Sequence, residues 1–113
     1  MRIGILISML FLAAPTVADA SVSYWSTTKV LRRIDGRRIQ LGSQTVRVDS
    51  DTTLCAGRGA SIRRDGIRRW RRFICTYTTF TKSGVDRDVD FRVRVLGVRR
   101  YAIYDAHWVA AGR

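Results

Sequence analysis

The chain has 113 residues and a formal net charge of +12, set by 21 Lys and Arg against 9 Asp and Glu, with hydrophobic residues at 46%. That composition excludes a polar disordered tail or a low-complexity polymer, and the single Pro with no repeat or Gly/Ser-rich linker leaves room for one small domain. All basic residues but Lys29 and Lys82 are Arg, and Glu is absent. A GC-rich genome accounts for Arg in place of Lys but not for the imbalance of sign. A domain this basic attracts polyanions, with an affinity that falls as salt rises.

Residues 1–20 have the layout of a secretory signal peptide. Arg2 gives a positive start, Ile3 to Ala14 an uncharged apolar stretch, and Pro15 a break before the small-residue triplet Ala18-Asp19-Ala20. The stretch falls short of the about 20 apolar residues that a spanning helix needs. Cleavage after Ala20 is therefore expected, leaving residues 21–113 as a single small α+β domain with no transmembrane segment. The cut removes one Arg and one Asp, so the charge stays at +12. The expected location is secreted or extracytoplasmic, in a periplasm or at a cell surface.

The first predicted element is a helix over Ser23 to Asp35. Val30, Leu31 and Ile34 form an apolar stripe, Ser23 or Ser26 can cap the start, Arg32 and Arg33 suit the negative end of the dipole, and Gly36 stops it. Three turns are marginal alone, so the stripe must pack on something else. Arg37 to Leu41 and Gln44 to Asp49 then read as a short hairpin about Gly42-Ser43, placing Ile39 opposite Val46. A polar break at Asp49-Ser50-Asp51 precedes two longer strands, Thr52 to Arg63 and Ile67 to Thr81.

Arg64-Asp65-Gly66 suits a three-residue hairpin loop with Gly66 left-handed in a G1 bulge. Arg63 then pairs with Ile67, and the same register carried along both strands sets Cys55 opposite Cys75. Gly57-Arg58-Gly59 is the place where a further bulge would shift that register. In an oxidising compartment these two cysteines are expected to form a disulfide. Two thiols and one His without CxxC or HxxxH spacing cannot assemble a four-ligand zinc site, so no metal and no cofactor is expected.

Lys82 to Arg87 form a polar loop. Asp88 to Leu96 then alternate cleanly, with Val89, Phe91, Val93 and Val95 on a dry face and Asp88, Asp90, Arg92 and Arg94 on a wet one. The Asp86, Asp88, Asp90 series lacks the Gly and closing Glu of a calcium loop. A turn near Gly97 leads to a last strand, Arg100 to Ala106, close to Trp108. The order predicts an α+β fold: one short N-terminal helix packed on an antiparallel β-meander of about four to six strands, with one disulfide. This layout resembles the plan of cystatin-like folds, a resemblance of arrangement alone that carries no inhibitory function.

The candidate binding residues lie on the middle hairpin: Arg58, Arg63, Arg64, Arg68, Arg69, Arg71 and Arg72, with Trp70 interleaved. Guanidinium groups grip phosphates or carboxylates in bidentate fashion, and a neighbouring Trp can stack on a base or sugar ring. Strand alternation sends Arg69 and Arg71 to the side of Phe73, and Arg68, Trp70 and Arg72 to the side of Ile74. Charge on an edge strand also protects against aggregation without any ligand.

No catalytic residue is assigned. His107 shares one side of an extended strand with Asp105, which could orient the imidazole, yet no Glu is present and no spacing nominates a general base. No GxSxG elbow or phosphate loop occurs. The expectation is therefore a small exported, non-enzymatic binding or structural domain, engaging an anionic surface, polymer or partner through its Arg-rich hairpin. Candidate partners are an anionic envelope polymer, a membrane surface, nucleic acid or an acidic protein. The alternatives are a ribonuclease-like polyanion hydrolase using His107 and a secreted inhibitor-type protein-binding module.

Overall fold

The computed structural model describes residues 23–79 and 87–109. The expected signal peptide, its cleavage point and most of the Lys82 to Arg87 loop lie outside them.

The helix, α1, spans Thr27–Ile34 and is shorter than its pattern suggested. Ser26 caps it, accepting from the Lys29 amide at 3.1 Å, because Trp25 just before it is committed to extended pairing elsewhere. Val30 and Ile34 are its buried residues, and Arg32 and Arg33 occupy its last turn. Gly36, with φ of 81°, lets the chain turn away. Strands β1 (Arg38–Leu41) and β2 (Gln44–Arg47) form the expected hairpin with Ile39 opposite Val46. Of the two residues between them only Gly42 has positive φ, the pattern of a type II′ turn. A 3₁₀ turn at Ser50–Thr52 follows, tied down by Asp35 and Asp49, whose carboxylates accept from the Ser50 and Asp51 amides at 2.9 Å.

The rest of the described chain is an antiparallel meander of β3 (Thr53–Arg64), β4 (Ile67–Thr79), β5 (Arg87–Val95) and β6 (Tyr101–Trp108), in that spatial order. The six strands thus divide into a four-stranded sheet and a separate two-stranded one. Their packing is that of an α+β domain, with α1 and the β1–β2 hairpin covering one face of the meander. Val30, Ile34, Ile39, Leu41 and Val48 come from the covering layer, and Trp25 from the segment paired to the edge of β4. Phe73, Cys75, Val89, Phe91, Val93 and Val95 come from the sheet, and the clean alternation of β5 is realised with all four of its apolar residues buried.

The middle hairpin reaches its register by a different route from the one read in the sequence. The connection is a two-residue turn, Asp65-Gly66, with φ of 55° and 77°, and Arg64 rather than Arg63 pairs with Ile67. Positive φ at both central residues matches a type I′ turn, whose twist agrees with that of the flanking strands. A bulge between Arg58 and Ser61, with Gly59 at φ of 75°, then adds one residue to β3 and restores the original count. Cys55 and Cys75 consequently face each other, 4.1 Å apart at Cα, and are joined in a disulfide.

Candidate anion-binding surface

Beyond the end of β5 the β3–β4 hairpin continues as a narrow ribbon. What stabilises its base is Trp25, whose backbone N–H and C=O both bond to Trp70 at 2.8 Å, occupying the edge of β4 where β5 has ended. Trp25 is fully buried, its indole edge-on to Tyr101 at 5.7 Å, with the Lys29 ammonium 4.9 Å from its ring centre. This anchoring also places the preceding residue, Tyr24, beside the basic strands.

Three arginines lie in a row across the sheet. Arg58 on β3 is paired directly with Arg72 on β4, and Arg72 directly with Arg94 on β5. Opposed residues on neighbouring strands have Cβ atoms about 5 Å apart, and like charges in that position are destabilising. Among the described residues no carboxylate lies within ion-pair distance of any of the three. The Arg ion pair found there is Arg92 with Asp105, at 3.2 Å. Arg94 has instead a neighbouring ring, with its guanidinium 5.6 Å from the centre of Tyr104.

A groove of about 330 Å³ opens over this row, lined by Tyr24, Arg58, Gly59, Ala60, Arg71, Arg72 and Arg94. The β3 bulge contributes to it directly, since Gly59 and Ala60 form part of the wall opposite Arg71. Four arginines lining one concavity suit a phosphate or sulfate group, which accepts several charge-assisted hydrogen bonds at once. Arg58, Arg71 and Arg72 of the predicted set therefore converge. Arg94 and Tyr24 join them unannounced: Arg94 was legible as a wet-face residue, but its place beside Arg72 depends on the β4–β5 register.

The other predicted residues go elsewhere. Arg63, Arg64 and Arg68 are exposed on the ribbon, where Arg63 donates to the Gly66 carbonyl at 3.2 Å and Arg68 to the Ser61 hydroxyl at 2.7 Å. Arg69 is half-buried, with a buried Nε that has no hydrogen-bond partner among the described residues. Trp70 is committed to packing: its ring lies edge-on to Phe73 at 6.0 Å and fills the space beside Gly57 where a side chain would begin. A Cβ on Gly57 would fall 2.0 Å from Trp70 Cδ2, so the Gly is required by the close approach of the indole. The simple alternation that grouped Trp70 with Arg72 and Ile74 misses this contact. It ignored the bend and twist that a bulge adds to a ribbon.

A second basic groove, of about 450 Å³, lies between β1 and the β5–β6 turn, with Arg37, Arg38, Arg99 and Arg100 beside Leu96, Tyr101 and Ile103. None of these arginines was singled out by sequence, because they come from two segments far apart in the chain. His107 is exposed near the opposite end of the sheet, across from Asp90. Its Nδ1 lies 3.2 Å from the Asp105 carbonyl and 4.0 Å from the carboxylate, which is held by Arg92. Asp105 is the bulged residue of β6, with φ of 54°, and its carboxylate is an ion-pair partner before it is an orienting group. Asp90 and Arg94 are four residues apart on β5, roughly 13 Å at strand rise, which separates His107 from the arginine row.

Among the described residues no group of three or more His, Cys, Asp or Glu side chains could hold a metal ion, and no helix is long and apolar enough to cross a membrane. No family model, curated protein or solved structure matches the chain.

Proposed function

We propose that the domain is an exported, non-enzymatic binding module for a polyanionic partner, with the groove at Arg58, Arg71, Arg72 and Arg94 as its principal contact. The observation that carries this reading is the row Arg58, Arg72, Arg94. A sheet that opposes three like charges without a carboxylate loses stability in isolation and regains it when an anion sits among them. The Cys55–Cys75 disulfide is compatible with an extracytoplasmic setting. The hydrolase alternative has less support, because His107 and the arginine row stand well apart on the sheet.

Retention of the oxidised domain on immobilised heparin, measured over a range of salt, tests the proposal. Binding is expected to weaken linearly on a logarithmic salt scale. Arg58→Gln, Arg72→Gln and Arg94→Gln together should make that slope shallower, by about one unit for each anionic group the protein no longer neutralises. Unchanged retention in the triple variant would refute the assignment of the site. His107→Ala is expected to leave retention intact, whereas phosphodiester turnover that this substitution abolishes would establish the hydrolase.

A further inference from the structure

We infer that the polyanion is an anionic phospholipid membrane, and that Ile67 and Val98 are the side chains that enter its interface. This rests on the anion-binding reading above and narrows it to one partner. In an antiparallel meander the β3–β4 turn and the β5–β6 turn lie at the same end of the sheet, the β3–β4 ribbon reaching farther: Ile67 is roughly 17 Å at strand rise beyond Arg72, the last β4 residue paired with β5. These two turns carry three of the described exposed large apolar side chains: Ile67 is 48% exposed, Leu96 44% and Val98 66%. Arg63, Arg64 and Arg68 surround Ile67 and outnumber the one carboxylate of that turn, Asp65, while Arg99 and Arg100 follow Val98.

The exposure of Val98 is held in place by the fold. Lys29 on α1 donates to the Val98 carbonyl at 3.2 Å, and Arg33 donates to the Arg99 carbonyl at 2.6 Å. The Leu96 and Gly97 amides both bond to the Arg100 carbonyl. The turn thus satisfies much of its own backbone polarity and projects an aliphatic side chain, which is what a segment entering a water-poor interface requires. Apolar tips ringed by Arg also match the general chemistry of interfacial binding, in which buried aliphatic area and attraction to anionic headgroups act together. A nucleic acid or sulfated polysaccharide engages the guanidiniums equally well but gains nothing from exposed Ile and Val.

Leu54 provides the contrast. It is 79% exposed but stands at the far end of the sheet, in the pair Leu54–Thr76. Asp49, Asp51 and Asp88 belong to that far end with Arg87, so among the described residues acids outnumber bases around Leu54, whereas Arg63, Arg64 and Arg68 outnumber Asp65 around Ile67.

Vesicle co-sedimentation of the oxidised protein decides the matter. Vesicles of phosphatidylcholine with phosphatidylglycerol are expected to capture it, and vesicles of phosphatidylcholine alone to leave it in solution. Ile67→Ser with Val98→Ser should lower capture at least tenfold while heparin retention is unchanged, and Leu54→Ser should alter neither. Val98→Trp should strengthen capture and show a blue-shifted emission on vesicle addition. Heparin retention without vesicle capture, or capture indifferent to Ile67 and Val98, would overturn the membrane inference and leave the arginine site standing. Loss of the arginine site itself is read separately, in the heparin experiment with the Arg58, Arg72 and Arg94 variant.

Discussion

Replacing Arg72 by Gln removes the central charge of the arginine row while keeping most of the side-chain stem. Arg72 is directly opposed by Arg58 on one side and Arg94 on the other, so the substitution relieves two like-charge contacts at once. Cross-strand pairs of this kind are worth about 0.2–1 kcal/mol each, which gives a stabilisation of the free domain on the order of 0.5–2 kcal/mol at low salt. In a domain of this size each kcal/mol raises the melting temperature by about 4–8 °C. Urea or thermal unfolding in dilute buffer and again near 1 M salt measures both the gain and its origin. Interactions between exposed charges reach only about 3 Å at 1 M salt before they are screened, so the advantage of the variant should shrink there. Added polyphosphate should reverse the ranking, because a ligand that binds only the folded form stabilises the parent domain more than a variant with a weakened site. A variant that is less stable than its parent in dilute buffer, or whose gain persists undiminished at high salt, would show that the row is not electrostatically strained.

Gly57→Ala would put a methyl group 2.0 Å from the Trp70 indole, so the ring must leave its place against Phe73; a loss of about 1–3 kcal/mol is expected in denaturant unfolding, and unaltered stability would refute the packing described for Trp70. Cys55→Ser with Cys75→Ser opens a loop closed over a separation of 20 residues and should cost about 3 kcal/mol, checked by comparing melts of the variant and the oxidised parent. Burial, and secondarily the Asp49 carboxylate, raises the Tyr77 phenol above its ordinary value of 10.0. The folded state therefore holds this proton to higher pH than the unfolded chain does. Its contribution is complete below pH 10.0 and is lost as pH rises through the folded value, so Tyr77→Phe should flatten the alkaline side of a stability-against-pH curve.

Some of these features were legible along the chain because they depend on local pattern. The burial of Val89, Phe91, Val93 and Val95 follows from alternation on a half-covered strand, and the Ile39–Val46 pair from a two-residue turn. The middle hairpin is more instructive. Its cysteine pairing agrees with expectation although both steps toward it changed: a shorter Asp65-Gly66 turn moves the register by one, and the bulge at Gly59 moves it back. Asp-Gly is compatible with either loop length, and nothing local says whether the bulge is used. Trp70 shows the limit from the other side. An aromatic among arginines suggests a stacking surface, but its backbone is claimed by Trp25 and its ring by Gly57 and Phe73.

What the sequence determines by itself is therefore the character of the domain: its strong positive charge, its mixed helix and strand order, the two cysteines suited to one bridge, and the alternating faces of its strands. These rest on composition and on periods of a few residues, and they survive without knowledge of what packs where. Which arginines act together was decided only by tertiary structure. Arg58, Arg72 and Arg94 belong to three strands, and their meeting depends on two registers and one bulge, each fixed by side chains distant in sequence competing to bury themselves in a single core.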